Sequence, residues 1–383
     1  MLQKFCGFLK IYLVQYLPAS AYQVAYFFPA EKKMANKKLL YYFVGKSTFT
    51  GKDIDILAKN YTVLPFNFEF GKKWLTPFQL LQQFFFTLWH LFSAKACVIQ
   101  LAGFHSVIPV LLFKISGKKS IIIAAGTDCH KFPQISYGNF HKRLLGMATA
   151  FSFRNAAFIL PKHESLWHCK YDYDESGRPE QGIKAFVKGE LPPYVVIKNG
   201  YDATVFQSGN DPRSSDFITV SGLLHRTSQQ KLKGIDLVLE LAKRFPEKTF
   251  TIVGVNDVNA FPATTSNVTL LPSVSNDKLP ALFSKHRFYL QLSMAEGFPN
   301  ALCEAMLCEC VPIGSGVFSI PEIIGETGFI LNRRDRNELE SLIRKALSTD
   351  LSNSGKAARK RIAENYTLEK RESLLLETLK RIV

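Results

Sequence analysis

The stretch SMAEGFPNALCEAM (293–306) joins a strand-like run, RFYLQLS (287–293), to a helical one. Glu296, Gly297 and Phe298 form the connecting loop, and Pro299 suits the first turn of a helix, where its missing N–H loses no bond. Ala301, Leu302, Ala305 and Met306 follow with helical apolar spacing. A helix beginning at the carboxyl end of a strand leaves amides free to hold an anion. Glu296 precedes this helix and Glu304 lies inside it. One carboxylate then reaches over the anion site while the other sits about a turn deeper, a spacing suited to two sets of ligand hydroxyls.

On both sides of this stretch, short apolar runs alternate with helical periodicity. LLYYFVG (39–45), YTVLPF (61–66), ACVIQL (96–101) and KSIIIAAG (119–126) read as strands, as do DFITVSGL (216–223), TFTIVGV (249–255), VTLLP (268–272) and CVPIGS (310–315). Helices are expected at 53–60, 77–93 and 235–244. Such alternation implies parallel βαβ units in an α/β chain. A chain of 383 residues exceeds one ordinary core. The expectation is two Rossmann-like doubly wound domains facing a central cleft, with ligands at the carboxyl ends of the strands. The expected divisions are an extension at 1–35, a first domain at 36–200, a second at 201–362, and a helix at 363–383 crossing back to the first. Residues 170–192 read as a loop, and PPYVVIKNGYDATVF (192–206) as a strand, a turn and a hinge.

The net charge of +16 is unevenly distributed. Residues 1–200 hold 25 Lys and Arg against 11 Asp and Glu, whereas the rest is nearly balanced. Charge confined to one half points to an anionic partner such as a membrane surface, a phospholipid-linked substrate or a nucleic acid. No recognition motif supports nucleic acid. Seven cysteines at irregular spacing make no disulfide framework and read as small apolar fillers in a reducing cytosol. Phe5, Phe8, Leu9, Tyr12, Leu13, Tyr16 and Leu17 follow the rule of an amphipathic helix, and Lys10 and Gln15 interrupt the run a secretory signal needs. Met34, just before the first strand, is an alternative working start. No window is apolar enough to span a bilayer.

Strand, glycine, proline, helix and paired glutamates together resemble the nucleotide-sugar signature of glycosyltransferase family 4, the retaining group 1 enzymes of GT-B fold. The resemblance continues through PEIIGETGFIL (321–331), VIKNGYDATVF (196–206) and KGIDLVLELA (233–242). It covers most of 196–383 and only loosely 36–195. It implies that Glu296 contacts the donor sugar and Glu304 the ribose hydroxyls. Gly297, Phe298, Pro299 and Asn300 would line the sugar and diphosphate pocket, and Lys233, before Gly234, would neutralise the diphosphate. Val274 and Asn199 fall on the donor side as well. The family's arginine after the first strand of this domain has no direct counterpart, so Arg226 or Lys231 would substitute. Its histidine near the first-domain HG(T/S)D motif is Ala125 in AAGTDCH (124–130), which leaves Asp128, His130 and His105 as acceptor-side candidates. Phe318 and Ser319 replace the usual Gly-Gly before the PE pair.

GKSTFTGKD (45–53) lacks the glycine spacing of a P-loop and reads as a solvated loop from which Lys46 reaches an acceptor phosphate. The DxD triplets at 53–55 and 172–174 do not end buried strands, so neither a metal nor another cofactor is expected. The helix carrying Phe84, Phe85, Phe86, Trp89 and Phe92 reads first as core and otherwise as a membrane contact beside Lys72, Lys73, Lys95, Lys118 and Lys119. The resulting expectation is a retaining glycosyltransferase on the cytoplasmic face of a membrane, moving sugar from a nucleotide-sugar to a glycan or lipid-linked acceptor in surface polysaccharide or lipopolysaccharide assembly. The rivals are a GT-B nucleotide-sugar epimerase and an inactive GT-B scaffold that binds lipid or polyanion.

Overall fold

The computed structural model describes residues 37–383 apart from 46–47, 70–72, 210–211, 223, 225–226, 259–260, 262 and 351–352. The expected extension and its helix at 5–17, together with Lys46, Arg226 and Lys72, lie outside the described residues.

Two parallel sheets form the frame. The first contains β1 (Lys38–Val44), β2 (Thr62–Phe68), β3 (Ala94–Gln100), β4 (Lys119–Ala124) and β5 (Phe158–Pro161), in the order β2-β1-β3-β4-β5. Its helices are α1 (Thr48–Ala58), α2 (Thr76–Leu91), α3 (Phe104–Ile115) and α4 (Arg143–Asn155). The second contains β6 (Ser215–Val220), β7 (Phe250–Val253), β8 (Val268–Leu271), β9 (His286–Gln291), β10 (Val311–Ser315) and β11 (Phe329–Leu331), in the order β8-β7-β6-β9-β10-β11. Around it lie α5 (Thr227–Leu232), α6 (Ile235–Arg244), α7 (Leu279–Ser284), α8 (Asn300–Leu307), α9 (Ile320–Ile324), α10 (Arg336–Ser348) and α11 (Ser354–Asn365). The order reverses between β1 and β3 in one sheet and between β6 and β9 in the other. Ligands of open α/β sheets bind outside strand ends at such reversals. The 293–306 stretch follows β9.

The two faces of β1 serve two cores. Leu39, Tyr41 and Phe43 pack with Ile56 and Leu57 of α1 and with Leu375 and Leu379 of α12 (Leu368–Ile382). Leu40 and Tyr42 pack on the opposite side with Leu91, Val110, Phe113 and Phe153 of α2, α3 and α4. This is the alternation a strand imposes. α12 is fixed to the first sheet by a fully buried ion pair, Arg371 Nη2 to Asp53 Oδ1 at 2.7 Å. Arg371 also donates to the carbonyls of Ile197 and Lys198.

Four local expectations need correction. GKSTFTGKD does not stay a loop, because helix α1 begins at Thr48 and takes Asp53 to Arg371. The 192–206 stretch forms no regular strand: Pro192 and Pro193 lack donors, and it runs beside β5 through an isolated bridge between Ile159 and Tyr194 and a bond from the Ile197 N–H to the Pro161 carbonyl at 2.9 Å. Pro299 is not in the first helical turn but is the extended residue before it, with ψ 114°. The aromatic helix is core on one side only: Phe86 and Leu91 pack against the sheet beside the buried Gln83 and Thr87, while Phe85, Trp89 and Phe92 are exposed.

Candidate active site

Glu296 stands in the loop after β9 at the reversal of the second sheet. A polar chain on one side of the strand reaches it: Tyr289 Oη donates to Gln291 Oε1 at 3.3 Å, and Gln291 Nε2 to Ser293 Oγ at 2.8 Å. Ser293 Oγ then donates to Glu296 Oε1 at 2.8 Å. Gln291 Nε2 (3.2 Å) and Lys233 Nζ (2.6 Å) donate to the same oxygen. All three donors converge on Oε1, which leaves Oε2 for a ligand.

Lys233 reaches this position through Gly234. That glycine has φ +70°, and a Cβ on it would lie 2.1 Å from the carbonyl oxygen of Leu292. Only glycine allows the turn into α6 to approach the end of β9 so closely. The Met294 N–H, donating to Leu232 O at 2.8 Å, closes the same junction. The Lys–Gly pair and the glutamate loop are therefore one packed unit.

Glu304 lies inside α8 and is 5% exposed. Burial pushes its carboxyl up to about 7, with Lys52 and Asn276 partly offsetting the shift. Lys52 comes from α1 of the first sheet and lies 5.8 Å from the centre of the Tyr201 ring. Asn300, the first residue of α8, accepts from Asn199 Nδ2 at 3.1 Å and from Tyr201 Oη at 2.7 Å. The Asn199 and Asn300 side chains thus join the hinge to the helix start. Phe298 is buried, with its ring 5.4 Å from that of Tyr366. Val274 packs partly buried in the loop after β8.

Lys231 projects from α5 into a polar cavity of about 570 Å3, whose lining includes Arg333, Arg334, Asp172, Asp174 and Gln134. Arg334 donates to Asp236 at 2.5 Å, and its backbone N–H bonds the Tyr173 carbonyl, so this wall crosses from one half to the other.

The first half meets the glutamate loop at its closest point. A Cβ on Gly297 would lie 1.8 Å from the carbonyl oxygen of Ala125. Asp128 is fully buried and accepts from the amides of Ala102, Ala125 and Gly126, so it braces the loop. Burial raises its pKa despite these amides. His105 is buried with Nε2 against the Gln100 carbonyl, and burial pulls its pKa down to about 4. His130 is fully buried, its pKa is held at about 3 by burial, and its ring centre lies 4.3 Å from that of Phe318. Both histidines are therefore neutral near pH 7.

Sequence reading missed several of these partners. Phe318 takes φ +52° where the resembled family has glycine. Glu322, of the PE pair, accepts from His163 Nε2 at 2.8 Å, from Lys198 and from Tyr366 Oη, which pins the two halves together. His163 leads the donors that hold its carboxyl down at about 2. Polar residues at every second position of 289–293 were the available signal for the chain behind Glu296. Nothing local signals partners 124 or 159 residues apart. Among the described residues no cluster of His, Cys, Asp or Glu could hold a metal ion, and no helix is long and apolar enough to cross a membrane.

Residues 217–349 match the family model described as Glycosyl transferases group 1. The chain is 22% identical over 163 residues to a phosphatidylinositol N-acetylglucosaminyltransferase component from Arabidopsis thaliana, a match covering 40% of this chain and 36% of that protein. It is 31% identical over 77 residues to O-antigen chain mannosyltransferase B of Escherichia coli, 20% of each chain. The matches thus span about a third or less of these relatives. Among solved structures, sucrose-phosphate synthase from Thermosynechococcus elongatus superposes with TM-score 0.68 at 14% identity, over 90% of this chain and 98% of that one. Anabaena HepE in complex with UDP-glucose gives 0.66 at 15% identity, over 90% and 99%. The fold is GT-B, and residues 217–349 are similar to the group 1 glycosyltransferases.

Proposed function

We propose that the protein transfers a sugar, with retention of anomeric configuration, from a nucleotide-sugar to a glycan or lipid-linked acceptor. The observation that carries this reading is the convergence of the Lys233 ammonium, the Glu296 carboxylate and the start of α8 at one chain reversal. When the glycosyl–phosphate bond breaks, negative charge gathers on the departing diphosphate. A fixed ammonium and helix amides stabilise that charge without reorganising, and they do so more in the transition state than in the ground state. The free Oε2 of Glu296 accepts from sugar hydroxyls, and Glu304 accepts from those of the ribose. The amides at 297–300 complete the pocket, except at Pro299, which has none. Residues 125–130, which close over Gly297, present the acceptor.

The similarity to an O-antigen mannosyltransferase supports a place in surface polysaccharide or lipopolysaccharide assembly. The excess of basic residues in the first half supports work on the cytoplasmic face of a membrane. No metal or other cofactor takes part in this reading. Release of nucleoside diphosphate from a panel of nucleotide-sugars, with and without glycan and polyprenyl-phosphate-linked acceptors, tests it. Acceptor-dependent release that Glu296→Gln suppresses is the expected result. Interconversion of the donor without transfer would replace it with an epimerase, and inertness toward every donor with a scaffold.

A further inference from the structure

Helix α2 carries apolar side chains on its outer face as well as its inner one. Its inward side holds Leu91 and the partly buried Phe86 together with Gln83 and Thr87, the last two fully buried. Gln83 Nε2 donates to the His105 carbonyl at 2.8 Å, and Thr87 Oγ1 pairs with Tyr42 Oη at 2.7 Å. Its outward side carries Phe78, Leu81, Phe85, Leu88 and Phe92 at alternating steps of three and four, with Trp89 beside them, and all six are exposed. Trp89 is 74% and Phe92 83% accessible. An amphipathic helix of a soluble domain points such a stripe at its core. This one spans about 21 Å at 1.5 Å per residue and faces away from the protein. Lys118 caps its end, donating to the carbonyls of Leu91 (2.6 Å), Phe92 (2.9 Å) and Ala94 (2.6 Å), so the exposed end is held rather than frayed.

The next two helices on the same face of the sheet also expose apolar side chains. Ile115 of α3 and Leu144 and Met147 of α4 are exposed as well. Lys95, Lys114, Lys119, Lys142, Arg143 and Arg154 are exposed along the same run of chain. Between residues 70 and 163 the sole acidic residue is Asp128, which is buried. α2 itself carries no charged side chain. An exposed apolar stripe set among cations marks an interaction surface.

We propose that the outer face of α2 docks on an anionic lipid bilayer, its rings entering the interface while the flanking Lys and Arg meet acidic headgroups. The charge selects this occupant. A second copy seated face to face would bring like charges together, whereas an acidic lipid surface neutralises them. The placement fits the cleft too. α2 follows β2 from the carboxyl edge of the first sheet, so Phe78 lies at the cleft end of the stripe. A lipid-borne acceptor would meet the opening at the membrane surface. The docking face stands independently of the donor chemistry proposed above, since it shares no residue with that site.

The full chain is tested on vesicles of phosphatidylcholine alone or mixed with phosphatidylglycerol, with tryptophan fluorescence as the readout and acyl chains brominated in a parallel set. The chain has three tryptophans. Binding should need the acidic lipid and weaken as salt rises, and brominated chains should quench emission in wild type much more than in Trp89→Phe. The pair Phe85→Ser with Trp89→Ser should lower vesicle partitioning by more than roughly tenfold, since each withdrawn ring carries the transfer preference of a buried aromatic. It should leave the thermal melt and turnover on a soluble donor unchanged. Absence of binding, binding in which Trp89 is not quenched, or a vesicle-independent dimer that the double substitution dissolves would each overturn the proposal. Loss of donor hydrolysis with docking intact would instead fault the donor reading alone.

Discussion

Glu304→Gln should stabilise the ligand-free protein at alkaline pH and weaken it as a nucleotide binder at the same pH. The folded chain holds the Glu304 proton up to about pH 7, whereas the unfolded chain releases it near 4.5. Unfolding therefore releases a proton between those values, and the stability of the folded state falls as pH rises across that window. The displacement corresponds to about 3 kcal/mol at about 1.36 kcal/mol per pH decade, an upper figure for what burying the charged carboxylate costs above pH 7. Glutamine keeps the shape and never ionises. The variant should melt with wild type at pH 4.5 and about 5 °C above it at pH 8. Binding runs the other way. A hydrogen bond to a carboxylate contributes about 1.5–3 kcal/mol against about 0.5–1.5 for a neutral partner, so nucleoside-diphosphate affinity at pH 8 should fall roughly five- to tenfold in the variant. Wild-type affinity should decline below about pH 7 as Glu304 protonates, and the variant's should not. Melting scans and calorimetric titrations from pH 4.5 to 8.5 measure both. A difference in melting temperature that stays constant over that range would refute the burial argument, and equal affinities at pH 8 would refute the ribose assignment.

Gly297→Ala should abolish turnover while each half remains folded, because its Cβ would lie 1.8 Å from the Ala125 carbonyl oxygen and hold the halves apart. Small-angle scattering should show a more open particle, and an unchanged radius with normal activity would contradict the close approach. Asp53→Asn should destabilise by about 3–5 kcal/mol, since it leaves the Arg371 guanidinium buried without its anion. Urea titration reads that loss, and early proteolytic cleavage between α11 and α12 should accompany it; equal urea midpoints would remove the ion pair from the account.

The strands were legible because both faces of each central strand are buried, so 39–45 and 119–126 read as continuous apolar runs. The glutamate loop was legible for a different reason: a strand end, a glycine, a proline and a helix start follow one another within a dozen residues. The orientation of α2 was not. Periodicity shows which side chains share a face, not which way the face points, and ring-rich stripes usually point inward. The contacts that join the halves were hidden as well. His163 with Glu322, Asp53 with Arg371 and Gly297 with Ala125 pair residues brought together only by closure of the cleft and return of the last helix. Phe318 was visible as a departure from glycine. Its φ of +52° and its packing against the His130 ring could come only from the folded chain.

The central claim is that the junction of Lys233 with the glutamate loop receives the diphosphate of a nucleotide-sugar. Titrating wild type and Lys233→Ala with uridine, guanosine, adenosine and thymidine diphosphates, followed by calorimetry, tests it most directly. The account predicts that wild type binds at least one of them and that Lys233→Ala, correctly folded by its melt, loses about 1.5–3 kcal/mol of that affinity, the contribution of a hydrogen bond between charged groups. Equal affinity in the two proteins, or no binding of any diphosphate by wild type, would contradict it.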